Sequence, residues 1–232
     1  MMSIFLGRAT GFMALTFLGL LGGTSCQTNG VPVNEAFFVA QPRSILVLPP
    51  LDETIETAAT YGTLASVTVP LVEAGYYVFP VAVVDAMMRE NGLPTPYEMH
   101  AVPLSKLREI FQPDAVLYLR VTDWGTSYQV INSSTRIGIS GELLDARSGE
   151  VLWSGQTLQV QNSNSGGGGI VGMLAGAIVS QVATSISDPS RSIARSANWD
   201  LLQGRNRGWI LGPYHPNVEE DREQVKAMYQ AE

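Results

Sequence analysis

The sequence is poor in reactive side chains. One cysteine, Cys26, and two histidines, His100 and His215, stand among 232 residues. A single thiol forbids an intramolecular disulfide, so stability must come from packing. The histidines occur in proline-containing loop contexts with no second ligand at metal spacing; they read as exposed loop residues, and neither metal nor cofactor is expected. No Gly-x-Ser-x-Gly elbow occurs, and nucleophilic catalysis lacks an obvious agent. Positive charge is also scarce, with 14 Lys and Arg against 21 Asp and Glu. That balance argues against nucleic acid and against electrostatic adhesion to anionic lipid.

What is present begins at the amino terminus. Arg8 is the only charged residue in positions 1 to 25, and an apolar stretch runs from Phe12 to Leu21. That stretch is too short for a membrane span and fits the core of a signal peptide over residues 1–25. Small residues follow, then Cys26. The arrangement resembles a bacterial lipobox, with Gly23 where Leu is usual, and it makes Cys26 the expected lipidation site. Acyl chains such as palmitate contribute on the order of 0.8 kcal/mol per buried methylene, so two or three of them hold a protein on a bilayer. Gln27, where Asp would retain such a lipoprotein at the inner membrane, points to the periplasmic face of the outer membrane. Removing residues 1–25 takes away one positive charge, so the net charge moves from −7 to −8.

The remaining length suits one domain with extensions. Residues 26–43 form a polar, Pro-containing tether. The domain itself is expected over 44–217, followed by an acidic tail over 218–232. Ser44 to Leu48, stopped by Pro49 and Pro50, has the pattern of a strand buried on both faces. Leu64, Val67, Leu71 and Val72 recur at helical spacing up to Gly75, with Pro70 expected to kink or end that helix. Tyr76 to Val81 reads as a second strand. Val83, Val84, Met87 and Met88 suggest a helix closed at Gly92, and Leu104, Leu107, Ile110 and Phe111 another that Pro113 terminates.

The second half changes character. Ala115 to Trp124, Tyr128 to Asp145 and Glu150 to Gln161 are long strand-like segments, and Arg147-Ser-Gly-Glu150 is a tight hairpin connection. Ile137, Ile139 and Leu143 alternate as on a half-solvated sheet. The expected class is α/β: a mixed sheet with an antiparallel C-terminal meander and helices packed on it.

Gly166 to Gly169 precede Ile170 to Ile186, a segment rich in Gly, Ala and Ser. A membrane span is disfavoured by Ser180, Gln181 and Thr184, and a phosphate loop by the missing Lys-Ser or Lys-Thr. A helix packed closely through Gly172, Gly176 and Ala183, behind a tetraglycine hinge, is favoured. Val218 to Gln230 reads as a short solvated helix with an acidic start. Trp199 and Trp209 read as core plugs or lids.

Two groups could carry recognition. Asp52, Glu53 and Glu56 gather beyond the first strand, where open α/β sheets often bind ligands, although acidic residues leading into a helix also complement its dipole. Asp123 and Trp124, with Tyr128, form a candidate interaction edge; the alternative is a satisfied turn carboxylate and a packed indole.

Dispersed segments carry a broader resemblance. Ser44-Ile-Leu-Val-Leu-Pro-Pro-Leu-Asp-Glu53, Gly75-Tyr-Tyr-Val-Phe-Pro-Val81, Val102-Pro-Leu-Ser-Lys-Leu-Arg-Glu-Ile-Phe111, Asp114-Ala-Val-Leu-Tyr118, Asp123-Trp-Gly-Thr-Ser-Tyr-Gln-Val130 and Gly212-Pro-Tyr-His-Pro216 closely resemble a family of proteobacterial lipoproteins typified by a genome-derived Neisseria antigen. The resemblance implies a domain similar to the amino-terminal domain of TolB and, more loosely, to periplasmic domains of LpoB and CsgG. It also implies neighbouring genes for a CsgG-like lipoprotein and a further small lipoprotein, hence an envelope assembly. It implies no catalytic residue.

The expected function is therefore a lipid-anchored, non-enzymatic assembly component acting with a CsgG-like lipoprotein. One alternative is a peptidoglycan-active hydrolase using two of Asp52, Glu53, Asp123 and Asp145 within roughly 10 Å in a cleft. The other is a CsgG-like pore subunit whose Tyr128 to Gln161 become membrane hairpins, against which Arg136, Glu142 and Gln156 weigh.

Overall fold

The computed structural model describes residues 34–128, 133–162, 190–203 and 208–230. The expected signal peptide, Cys26, the first part of the tether, the tetraglycine loop and Ile170 to Ile186 lie outside the described residues.

Six strands form one mixed sheet: β1 (Ser44–Val47), β2 (Leu51–Asp52), β3 (Tyr77–Val78), β4 (Ala115–Tyr128), β5 (Ser133–Asp145) and β6 (Val151–Asn162). Their order is β3-β1-β4-β5-β6, with β2 pairing on β4. β1 runs parallel to both β3 and β4, whereas β4, β5 and β6 form an antiparallel meander. The hairpin between β5 and β6 is built by Asp145, whose carboxylate accepts from the Arg147 and Ser148 amides and the Ser148 hydroxyl. Such an Asx arrangement lets the chain reverse without a ladder partner.

β1 is buried on both faces, as its uninterrupted apolar run requires. Ile45 and Val47 enter the larger of two cores, while Leu46 and Leu48 enter the smaller. The larger core lies between the sheet and α1 (Glu35–Ala40), α2 (Ala59–Glu73), α6 (Ser190–Gln203) and α7 (Val218–Gln230). The smaller lies on the opposite face under α3 (Val81–Glu90), α4 (Pro96–His100) and α5 (Leu104–Phe111), through Val84, Met88, Met99 and Leu107.

Several expectations need correcting. The tether does not extend to Arg43: Asn34 caps α1 by accepting from the Ala36 amide at 2.9 Å, and Phe37 is fully buried. An N-cap and one aromatic anchor are enough to dock this turn and a half of helix. Pro70 lies inside α2, which continues to Glu73. The strand expected over Tyr76 to Val81 shrinks to two residues, because Pro80 fixes the N-cap of α3. The acidic tail is part of the domain. Val218 and Val225 are buried, and the Asp221 carboxylate accepts from the Leu211 amide at 2.9 Å. Trp199 is 41% exposed and is no core plug. Trp209 does plug, making edge-on contacts to Phe37, Tyr76 and Trp153 with centroids 5.3, 5.9 and 4.8 Å apart.

The end of α2 shows why one resembling segment matters structurally. Gly75 takes a positive φ of 87°, and the Tyr76 and Gly75 amides return to the Leu71 and Val72 carbonyls, a Schellman closure. Gly212 then docks on this turn, donating to the Ala74 carbonyl, while Tyr214 donates to that of Gly75. A Cβ on Gly75 would press into the His215 backbone, and one on Gly212 into the Gly75 carbonyl. The Gly212 to Pro216 segment is thus a clasp over the α2 cap. Tyr76 completes it by donating its hydroxyl to the Ile210 carbonyl at 2.7 Å. Burial first, and then the Asp221 carboxylate, push this phenol well above its ordinary pKa, with Arg222 opposing.

Candidate functional site: the open face of the meander

The helices α3 to α5 cover only one end of their face, so the outward residues of β4, β5 and β6 remain accessible. A hollow of about 430 Å³ lies there, lined by Tyr118 and Arg120 of β4, Ser140 and Glu142 of β5, and Ser154 and Gln156 of β6. The two-residue period of strands places these side chains together, opposite the buried Leu117, Leu119, Ile139 and Leu143.

His100 closes one side of the hollow and is not the exposed loop residue expected. It ends α4, half-buried, with Nε2 2.9 Å from the Pro49 carbonyl and its ring edge-on to Tyr118. A carbonyl only accepts, so Nε2 carries the proton. Burial lowers the His100 pKa, with Arg120 adding to the effect and the Pro49 bond opposing it; the ring is neutral at pH 7. Burial also raises the Tyr118 pKa, which keeps that hydroxyl protonated. His215 belongs to the clasp, where Nδ1 accepts from the Asn217 amide at 3.1 Å.

The carboxylates of Asp52, Glu53, Asp123 and Asp145, on which a hydrolase would draw, are each engaged locally. Asp52 accepts from the Thr54 amide and hydroxyl at 2.7 Å, and Glu53 pairs with Arg120 at 2.7 Å. Glu56 contributes its backbone carbonyl to the Ala59 amide at the start of α2. Asp145 holds the hairpin. Burial works to raise its pKa, but the Ser148 and Arg147 amides, the Ser148 hydroxyl and the Arg147 charge together bring it below the ordinary value.

The expected edge at Asp123, Trp124 and Tyr128 is split. A bulge between Val121 and Asp123 turns Trp124 inward, where it is 8% exposed and packs against Gly62. Trp124 is therefore a core residue, unavailable for docking. Asp123 pairs with Arg136 at 2.8 Å, half exposed, and Tyr128 closes β4 opposite Ser133.

The meander also ends in an edge. Among the described residues, β6 has β5 on one side and no strand on the other. Its 12 residues include no charged residue and no proline, the two devices that most often protect an edge. Asn34 covers its first residue by donating to the Val151 carbonyl at 2.8 Å. Farther along, Leu158 and Val160 are 51% and 48% exposed. Sequence reasoning missed these two, although their alternation with Thr157 and Gln159 was visible. Among the described residues, no group of three or more His, Cys, Asp or Glu could hold a metal ion. No helix there is long and apolar enough to cross a membrane.

The fold is a mixed α/β domain in which part of one sheet face stays open. Residues 34–214 match the family described as "Putative lipoprotein GNA1162-like", and the chain belongs to that family. A Neisseria meningitidis serogroup B relative, "Putative lipoprotein NMB1124/NMB1162", is 41% identical over 204 residues, covering 87% of this chain and 95% of its own. The crystal structure of lipoprotein GNA1162 from Neisseria meningitidis is similar, with 48% identity and a TM-score of 0.51 over 62% of this chain and 99% of that one. The LpoB C-terminal domain from Salmonella enterica is more distant, at 19% identity and a TM-score of 0.35 over 51% and 83% of the two chains.

Proposed function

We propose that this lipoprotein is anchored by acylated Cys26 to the periplasmic face of the outer membrane and works without catalysis, docking another envelope protein along the β6 edge and the adjoining open face. The observation that carries this reading is the place of β6 as the last strand of the sheet among the described residues, with Leu158 and Val160 exposed on it. Beyond Val151, whose carbonyl Asn34 takes, this neutral strand carries exposed Leu158 and Val160, and its far end suits main-chain hydrogen bonds to an added strand and apolar contacts to that strand's alternate side chains. The local engagement of Asp52, Glu53, Asp123 and Asp145 supports a binding role over hydrolysis. The partner expected from the family resemblance is a CsgG-like lipoprotein.

The test has two arms. Cys26→Ser should release the protein from the membrane fraction, and intact-mass measurement of the native chain should show added acyl groups. Leu158→Lys combined with Val160→Lys should abolish capture of the partner after crosslinking in cells while leaving the protein folded. Unchanged capture by the folded double variant would remove the edge from the account.

A further inference from the structure

Four arginines, Arg43, Arg108, Arg147 and Arg222, meet at one end of the sheet. The start of β1, the start of β4, the β5–β6 hairpin and Asn34 all lie at one end of the sheet: Ile45 pairs with Ala115, Ala115 with Asp145, and Asn34 holds the Val151 carbonyl. Two adjoining hollows of about 530 and 630 Å³ open at this end and share Asp114 and Arg147. Arg108 lines the first, and Arg43 and Arg222 line the second. The opposite end of the sheet carries Asp52 and Glu53 beyond β1, with Arg120.

Of the carboxylates that line these hollows, Asp114 and Asp145 are committed largely to the backbone and Glu109 pairs with Lys106 at 2.6 Å. Asp114 accepts from the Arg43 and Ser44 amides and from the Ser44 hydroxyl. Asp145 serves the hairpin. Arg222 leans on Glu219 at 3.4 Å, and Arg147 reaches Asp114 only at 3.9 Å with its side chain 69% exposed. Arg43 and Arg108, both exposed, make no ion pair among the described residues. Val39, 72% exposed, stands beside them in the second hollow, and Tyr214 is 66% exposed next to Pro213 of the same hollow.

We propose that this end of the domain is a membrane-docking surface that takes the phosphates of anionic phospholipid headgroups between Arg43, Arg108 and Arg147, with Val39 resting against the bilayer. The inference rests on Cys26 being the lipid anchor. Asn34, where the described chain begins, is held at this same end, and eight residue steps back to Cys26 span at most about 28 Å when extended. An anchor that short brings the nearest end of the domain against the leaflet that holds it. Guanidinium groups suit phosphate oxygens through paired N–H donors, and an exposed apolar side chain among cations is the composition of an interfacial contact. The net charge of the whole chain argues against anionic lipid; the local arrangement overrides it because screening confines each charge to its surroundings, about 8 Å at physiological salt. The β6 residues Leu158 and Val160 then lie toward the other end of the strand, away from the bilayer.

The experiment uses the full chain purified from membranes and carrying Val39→Cys, with a spin label on that thiol. Acylated Cys26 leaves one reactive thiol per chain, whereas two labels per chain would show that the anchor reading itself has failed. In nanodiscs of phosphatidylglycerol the label should become accessible to lipid-dissolved oxygen, about threefold more than in phosphatidylcholine. Arg43→Gln with Arg147→Gln should remove that difference without changing the melting temperature. A singly labelled chain whose label is equally water-exposed in both lipids would overturn the proposal. So would insensitivity to the arginine pair, or retention of inorganic phosphate by the same arginines without any lipid-dependent change at residue 39, which would mark a site for free phosphate.

Discussion

The two faces of one sheet have been put to different uses. On the helix-covered face of the meander, Ile137, Ile139, Leu143 and Trp153 are sealed under α2, α6 and α7. On the other, Tyr118, Ser140, Glu142 and Ser154 surround a hollow open to water. Adjacent residues of the same strands therefore face the core and water in alternation, which lets the open face change with little cost to the fold.

The largest effect should come from Trp153→Ala, which removes an indole packed on Trp209; about 4 kcal/mol of unfolding free energy should be lost in a urea titration. Gly75→Ala should cost about 3 kcal/mol by the same measurement, since it combines a left-handed backbone with a clash at the clasp. Leu107→Ala, on the smaller core, should cost about 2 to 3 kcal/mol and tell whether the two cores unfold together. Paired Leu158→Ser and Val160→Ser on the bare face should shift stability by no more than about 0.5 kcal/mol. If they shift it by several times that, the open face is part of the core and the contrast fails.

A pH series sharpens the same contrast at its boundary. His100 has a lowered pKa in the folded protein, so above about pH 6.5 both states leave it neutral and it contributes no pH dependence. As pH falls below that value the unfolded chain binds the proton first, and stability declines until the folded pKa is passed. His100→Gln should flatten this limb of the stability curve. Asp145→Asn should act at lower pH: the depressed pKa adds stability above the ordinary carboxylate range, lost as pH falls through the folded value.

Much of this architecture is legible because local chemistry and burial agree. The unbroken run at Ser44 to Leu48, the two-residue alternation of Ile137 and Ile139 and the Asp145 hairpin each have a single economical solution. What escapes is decided by few residues. α1 depends on Asn34 and Phe37 inside an otherwise polar stretch, and β2 and β3 are two residues long, too short to show a period. α4 carries a capping box, Thr95 with Glu98, and a proline at its start; the signal is present but brief. α6 hides in a segment crowded with Arg and Ser, although Ile193, Ala194, Ala197 and Leu201 keep helical spacing. For Trp124 the sequence leaves two readings open, a recognition edge and a packed indole. The bulge between Val121 and Asp123 brings it onto the core face, so the packed indole that stands as the alternative is what the structure shows. The hollow is assembled from five separate elements, β2, α4, β4, β5 and β6, so no single stretch of sequence displays it.

The most direct measurement of whether the bare face makes the contacts is site-specific photocrosslinking in living cells, with a photoreactive side chain at Leu158 on the edge or at Val83 on α3, both exposed. A covalent adduct with another envelope protein from residue 158, and none from residue 83, is the predicted result. Adducts from residue 83 alone, or none from either position in a protein that fractionates with the membrane, would contradict it.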